Sequence, residues 1–541
     1  MVHRSLALVT LLAAAVAGSA TRANAATVCT GTCFTAPAGS GALFLFTGHG
    51  WGHGVGMSQY GAYGYAQHGW TFQQILAHYY PGTALGPAPV STIRVLLADR
   101  KKVLKVSSAA PFTVQDNAGA TVTLPAGVLA LTPALVVAGK TLVPPLDIRP
   151  AKGALVSLVR PYRGRIDVDV VDGRLRAVNV VGLEQYVNGV VPAEMPSTWA
   201  PEALKAQAVA ARSYALATRQ VGAPYDLYSD TRSQVYLGAA HESPATTAAV
   251  TATRGQVLLY NGTVATTYFS STSGGRTESS QGWTGTALPY LVSVADPYDD
   301  ISPYHNWGPV PVTAQTIAKA LKLSGTVVDA TTTPDSSGRV AQLSFLTPFM
   351  PVAVPATTLR SAIGLRSTWF SVGVMSLLPP IPNPPLVYGS QVTLDGTTRG
   401  VTGVMLEQRP AGGQWQAVGP IAGGAVRLTE TPALTTDYRL ATPAAAAGSV
   451  RIRVSPSITV TAFSATAVTG TVLPVLPGAP VEVQQQNPDL TTWTPVGATT
   501  VAADGTFSVP VQLLSGGTYR VSVGPATGFV AGTTTPQVVV R

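Results

Sequence analysis

The chain has 541 residues, enough for roughly three or four domains of ordinary size. Only 11% of them are charged and the formal net charge is +9, which excludes a polybasic nucleic-acid binder. A mildly basic chain suits an anionic polymer such as a bacterial cell wall.

His3 and Arg4 lead an apolar run from Leu6 to Gly18, and Ala23-Asn24-Ala25 closes it with small residues. That pattern predicts a secretory signal over residues 1–25, and loss of Arg4 and Arg22 with it takes the charge from +9 to +7. No later run stays apolar for the roughly 18–20 residues a membrane span needs, so a secreted, wall-associated protein without a transmembrane segment is expected. Residues 26–47 form a tail that holds the only two cysteines, Cys29 and Cys33. An oxidising compartment favours a small disulfide loop there, and a structural zinc lacks a second ligand pair.

The next stretch is "GHGWGHGVGMSQYG", residues 48–61. Glycine occupies every second position from Gly48 to Gly56, with His49, Trp51, His53 and Val55 between. As a strand, one face would be bare backbone, which implies the close approach of a ligand or of the protein's own sheet. Thr71 and Gln74 then make a capping box, with Trp70 and Ile75 at the staple positions. A helix is expected to about Tyr80, stopped by Pro81-Gly82.

Residues 91–180 read as β, with a hairpin turn at Asp172-Gly173. Residues 183–220 switch to helical period. Pro201 and Glu202 suit a first turn, and Leu204, Ala208, Ala211 and Ala215 mark one buried stripe. Strands return at "GQVLLYNGTVATTYFSS", turning on Asn261-Gly262, and a helix-then-strand stretch runs from Val312 to about Val372. The Pro-rich "PPIPNPP", 379–385, is expected to be a linker. Beyond it "LEQRPAGGQWQAVG" is echoed by "VQQQNPDLTTWTPVG", and "TDYRLAT" by "GTYRVSV". The repeat predicts two tandem immunoglobulin-like β-sandwich modules, 386–455 and 456–541, with Trp415 and Trp493 as core anchors. The fold class expected is α+β: a mixed catalytic-type domain over 48–378, then two all-β modules.

Three segments carry polar groups suited to chemistry. In "VVPAEMPSTW", Glu194 lies between two helical segments beside Pro192, Pro196 and Trp199. An apolar setting favours the protonated carboxyl that a general acid needs, whereas the plainer reading is a capping glutamate. "YSDTRSQVYLG" holds Asp230, Gln234 and Tyr236. "TYFSSTSGGRTES" holds Ser270, Ser271, Gly274 and Gly275. Such hydroxyl, amide and aromatic groups suit a neutral sugar, while a solvated turn is the plainer reading. No G-x-S-x-G elbow occurs, and His49 and His53 lack the glutamate of a zinc-protease helix.

Taken in order, "VVPAEMPSTWAPEALKAQAVAARSYAL", "DTRSQVYLG", "YFSSTSGGRTES", "ADPYD" and "LRSAIGLRSTWF" resemble the stage II sporulation protein D family, which includes the amidase enhancer of bacterial autolysis systems. The resemblance covers about 91–372 and the opening glycine motif, which usually ends the family's domain and here precedes it. Such a circular permutation is tolerable when the domain ends lie close in space. The resemblance implies a lytic transglycosylase that cuts peptidoglycan glycan strands, preferring strands without stem peptides, with Glu194 as the catalytic acid. It implies no cofactor, because the zinc-binding cysteines of some members are missing around "DTRSQVY". Candidates for binding glycan are His53, Gln59, Arg212, Tyr214, Asp230, Gln234, Tyr236, Ser270, Ser271, Gly274 and Gly275. The alternative function is a non-catalytic wall-binding protein that recruits or enhances a cell-wall amidase.

Overall fold

The computed structural model describes residues 27–347, 349–513 and 516–539, so the expected secretory signal lies outside the described residues. The Cys29–Cys33 disulfide precedes a short strand, β1 (Phe34–Thr35). The run "LFLF" opens β2 (Leu43–His49), followed by β3 (Met57–Ser58). Helix α1 (Gln59–Gln67) is capped by the Ser58 side chain, and α2 (Phe72–Tyr79) by the Thr71/Gln74 box that its sequence announces. The alternating region follows. β4 (Thr92–Lys101) pairs with β6 (Arg174–Gly182), itself in a hairpin with β5 (Arg165–Val171). Asp172 and Gly173 make that turn with φ of 49° and 67°.

Helices α3 (Leu183–Glu194) and α4 (Pro201–Thr218) come next, with Pro201 and Glu202 in the first turn of α4. The stripe of Leu204, Ala208, Ala211 and Ala215 is buried in the main core. Strand β7 (Phe269–Ser270) runs parallel to β3. Then come β8 (Asn306–Thr313), α5 (Ala356–Ile363), β9 (Phe370–Leu378) and β10 (Val392–Arg399).

β2 lies between β8 and β9, antiparallel to both, and Gly48 is opposite Phe370. The glycine motif and the end of the domain are therefore neighbours in one sheet. Both faces of β2 are buried, in different cores. Phe44 and Phe46 pack with Ile317, Leu343 and Leu359, whereas Leu43 and Leu45 pack with Leu394, Leu406 and Leu440.

Three expectations are corrected. The glycine repeat is not a strand: β2 ends at His49, and Gly50, Gly52, Gly54 and Gly56 have φ of 74°, 120°, 78° and 71°. Left-handed backbone cannot pleat. What comes close is the protein itself, since a Cβ on Gly54 would collide with the Arg339 guanidinium and one on Gly56 with the Tyr268 carbonyl.

The Pro-rich segment 379–385 is also not a linker between separate cores. β9 pairs with β10 across it, and Met375 and Leu377 share one core with Leu394 and Leu440. The second repeat explains why. There, 457–463 pairs with 467–473, which pairs with 506–510, just as β9 pairs with β10 and β10 with 424–430. In the facing sheets Tyr438 and Tyr519 hold equivalent places, opposite Val450 and Gln537. β9 is thus the first strand of the first β unit, and the prolines form a loop inside it. Trp415 and Trp493 do not anchor either core. Each is half-buried with an arginine over its ring, Arg439 at 4.0 Å and Arg520 at 4.2 Å.

β1 adds to this first unit in parallel beside Ala445-Ala446, and the buried Glu407 accepts hydrogen bonds from Thr27 and from the Val28 N–H. The second unit has its own core around Val481, Phe507 and Val521. No helix among the described residues is long and apolar enough to cross a membrane.

Candidate functional site

Glu194 is the last residue of α3 rather than part of a free loop; Pro192 is accommodated inside the helix and the following Met195 is buried. The carboxylate is partly buried, and burial raises its pKa above the ordinary value. Two hydrogen bonds oppose that shift: Gln59 Nε2 donates to Oε2 at 3.2 Å, and the Val235 N–H also donates. Gln59 is the first residue of α1, so the Ser58 cap fixes where its amide points. On the next turns of α3, the Tyr186 hydroxyl donates to Gln234 Oε1 at 3.0 Å. That bond leaves the buried Gln234 Nε2 without a protein acceptor.

Two sets of rings are built on segments next to Gln59 and Glu194 in the chain. Tyr63 stacks on Trp199 at 4.7 Å, and Tyr60 meets the same indole edge-on at 4.8 Å. His53 stacks on Trp283 at 4.4 Å, Tyr268 stands edge-on to both, and Tyr214 lies 5.6 Å from Tyr268. Burial, then the Arg360 and Arg339 charges, lower the His53 pKa to about 4, so its imidazole is neutral near pH 7. A cleft of about 750 Å³ also opens beside α3, against Glu184, Asn188 and Arg254. Its lining on α3 runs from Leu183 to Asn188, about 9–16 Å along the helix axis from Glu194, so it is a different place.

The structure brings Gln59 against Glu194 and Gln234 against Tyr186 of α3, sets Tyr214 and His53 around Tyr268, and puts other expected residues to structural use. Arg212 is fully buried and held by Glu184 at 2.7 Å, where an unpaired guanidinium would be costly. Tyr236 is 2% exposed and donates to Asn179 at 2.8 Å. Asp230 is exposed, paired with Arg232 beside Tyr228 and Leu96. Ser270 Oγ accepts from the Gly54 N–H at 3.2 Å, while the Gly274 and Gly275 amides are used on Asp299 and Ser273. Of that loop Ser271 keeps a partly exposed side chain.

Composition and spacing gave no warning of the acids that hold the loop in place. The fully buried Asp299 accepts from Ser58 Oγ at 2.6 Å, from Thr272 Oγ1, from the Ser273 and Gly274 amides, and from His305. Asp296, also fully buried, accepts from Tyr79 at 2.8 Å and Ser273 at 2.7 Å. Burial and the neighbouring Asp299 push its pKa up to about 7. Two acids in "ADPYD", a motif quoted for the resemblance alone, were the available signal. They tie α1, α2 and the 272–274 loop together.

Residues 171–260, which contain α3, Glu194 and α4, match the family model described as stage II sporulation protein. The likeness of this chain to stage II sporulation protein D and the amidase enhancer is carried by this domain. The chain is 41% identical over 145 residues to stage II sporulation protein D of Bacillus subtilis, covering 24% of this chain and 42% of that one. It is 42% identical over 113 residues to the Bacillus subtilis amidase enhancer, covering 21% and 15%. An uncharacterised Brachyspira hyodysenteriae protein is 44% identical over 120 residues, covering 22% and 33%. The chain therefore spans less than half the length of each of these relatives. A segment of two fibronectin type III domains from chicken tenascin is 14% identical, covering 31% of this chain and 97% of that one at a TM-score of 0.20.

Proposed function

We propose that this domain acts on bacterial cell wall, as a lytic transglycosylase that cleaves peptidoglycan glycan strands with Glu194 as general acid and base. The observation that carries the reading is a single carboxyl group whose burial favours its protonated form, at the end of a helix and in contact with the Gln59 amide. Protonated Glu194 gives its proton to the oxygen linking N-acetylmuramic acid to N-acetylglucosamine. As positive charge develops at C1, the carboxylate takes the proton of the muramyl C6 hydroxyl, which closes on C1 to the 1,6-anhydro product. Neither water nor a second carboxylate is required, in contrast to ordinary glycosidases. Gln59 holds the carboxyl in place and Gln234 offers its free amide N–H.

The 42% identity to the amidase enhancer favours a second reading, a wall-binding protein that stimulates an amidase without cutting glycan itself. Digestion of peptide-free strands, with mass spectrometry for anhydro-muramyl ends, separates the two. Glu194→Gln keeps the shape and removes the titrating proton, so cleavage is expected to fall about 10²–10⁴-fold. Unchanged turnover in that variant, or no anhydro ends from the parent protein, would refute the transglycosylase reading.

A further inference from the structure

The cleft beside α3, away from Glu194, continues past the start of the helix. Gly182 and Gln185 line it and also line a second cavity of about 390 Å³, so the two adjoin as one groove. Four cationic side chains, Arg149, Lys152, Arg163 and Arg165, line the second cavity. No aspartate or glutamate is among the described residues that line it.

Strand period gathers these cations. The strand Leu146–Pro150 pairs antiparallel with β5, with Ile148 opposite Ile166 in the core and Asp147 opposite Asp167. Arg149 and Arg165, one residue further along, therefore share the outer face with those acids. Each arginine keeps its Nε–Nη2 edge on a carboxylate. Arg149 is 2.6 Å from Asp147, Arg165 is 2.8 Å from Asp167 and Arg163 is 2.6 Å from Glu242. These pairs hold the guanidinium groups still, yet each has five N–H donors, so N–H groups remain for another acceptor. The edge best matched to a second planar carboxylate is taken. Single N–H groups from three separate side chains suit the tetrahedral oxygens of a phosphodiester, and Lys152 adds a point charge. Lys152 and Arg254, in the second cavity and the first, are both exposed, and among the described residues neither is ion-paired.

The first cleft has a different chemistry. Its one acid, Glu184, is neutralised by the buried Arg212 at 2.7 Å and accepts from the Gly255 N–H at 3.0 Å. Asn188 keeps a buried Oδ1 without a hydrogen-bond partner, and Ser91, Gln185 and Thr251 add neutral polar groups. Such a lining suits hydroxyls. We propose that the groove binds a phosphodiester-linked polyol polymer, with a phosphate at the four cations and polyol hydroxyls along the first cleft. It holds the domain on an anionic polymer at a place apart from Glu194, so it serves attachment and takes no part in bond cleavage.

The test is fluorescence anisotropy of a labelled glycerol phosphate oligomer with the full chain, at low and at physiological salt. Binding should be clear at low salt and weaker at physiological salt, because the cations are partly exposed. Arg149→Ala with Lys152→Ala should weaken it about tenfold. Asp147 keeps Arg165 at 3.1 Å in that variant, so no carboxylate is stranded. Lys152→Glu, at an exposed and unpaired position, gives the same reading should the double variant be unstable. Lys319→Ala with Lys322→Ala removes the same charge from the end of the helix Ala314–Leu321, outside the groove, and should leave binding within about twofold. An oligogalacturonate of equal charge number should bind more weakly than the phosphate oligomer. The proposal is overturned if the oligomer does not bind at low salt, if the groove and control variants weaken binding alike, or if the carboxylate polymer binds as tightly. It is also overturned if the groove variants lose glycan cleavage on short soluble strands together with binding, since the groove would then belong to the reaction.

Discussion

Ending the chain after Leu378 should unfold more than the β units it removes. Leu43, Leu45, Met375 and Leu377 are between 0% and 8% exposed, and all four pack against residues beyond the Pro-rich loop. Full burial of such a side chain is worth about 1.5–3 kcal/mol, so exposing four costs on the order of 6–12 kcal/mol. That approaches the whole stability of a typical domain, about 5–15 kcal/mol. β9 would also lose its pairing with β10. A cut after Ser455 leaves this core whole. It breaks a thin junction made by Thr435 N–H to Gly528 O, Val530 N–H to Val454 O and the Tyr388–Phe529 ring contact. Urea unfolding of 26–378 and 26–455, followed by tryptophan fluorescence, should give a low or absent midpoint for the first. The second should keep the midpoint of the main transition. Equal midpoints for the two would refute the shared core.

Asp296→Asn should change how stability depends on pH. Because the folded-state pKa is raised from 3.8 to about 7, the acid contributes most below pH 4 and its contribution is lost as pH rises through 7. At about 1.4 kcal/mol per tenfold change in proton affinity, the parent should lose about 4 kcal/mol relative to the variant between pH 4 and 8. A difference that stays constant across that range would contradict the assignment. Gln59→Leu removes a donor that favours the ionised Glu194, so the basic limb of the cleavage profile should move to higher pH; a move to lower pH would show that the amide does not act on the carboxylate.

Features with local causes were legible in the sequence. The Thr71/Gln74 box, the Asp172-Gly173 and Asn261-Gly262 turns and the alanine stripe of α4 each depend on a few neighbouring residues, and each stands where it was read. The glycine motif misled because alternation looks the same whether the intervening backbone is pleated or left-handed; the difference is set by Arg339 and Tyr268, far along the chain. The prolines correctly marked a loop, but a loop within a domain and one between domains have the same composition. Arg212 looked like a ligand-binding arginine because nothing local reveals that Glu184 meets it in the interior. Gln59 could be placed beside Glu194 through the resemblance, whereas the support from Asp296 and Asp299 needed the fold.

The central position of β2 also sets an order of events. It is among the first strands synthesised, yet its two neighbours exist only after residues 306–313 and 370–378 have been added. Such distant pairings carry a large loop-closure cost and form late. Until then "LFLF" is an uncovered apolar ribbon, and the glycine turns that lead to Gln59 have nothing to wrap around. A partly synthesised chain can hold Glu194 on its helix without the frame that aims it, so the pair ripens only once both neighbours of β2 have been made.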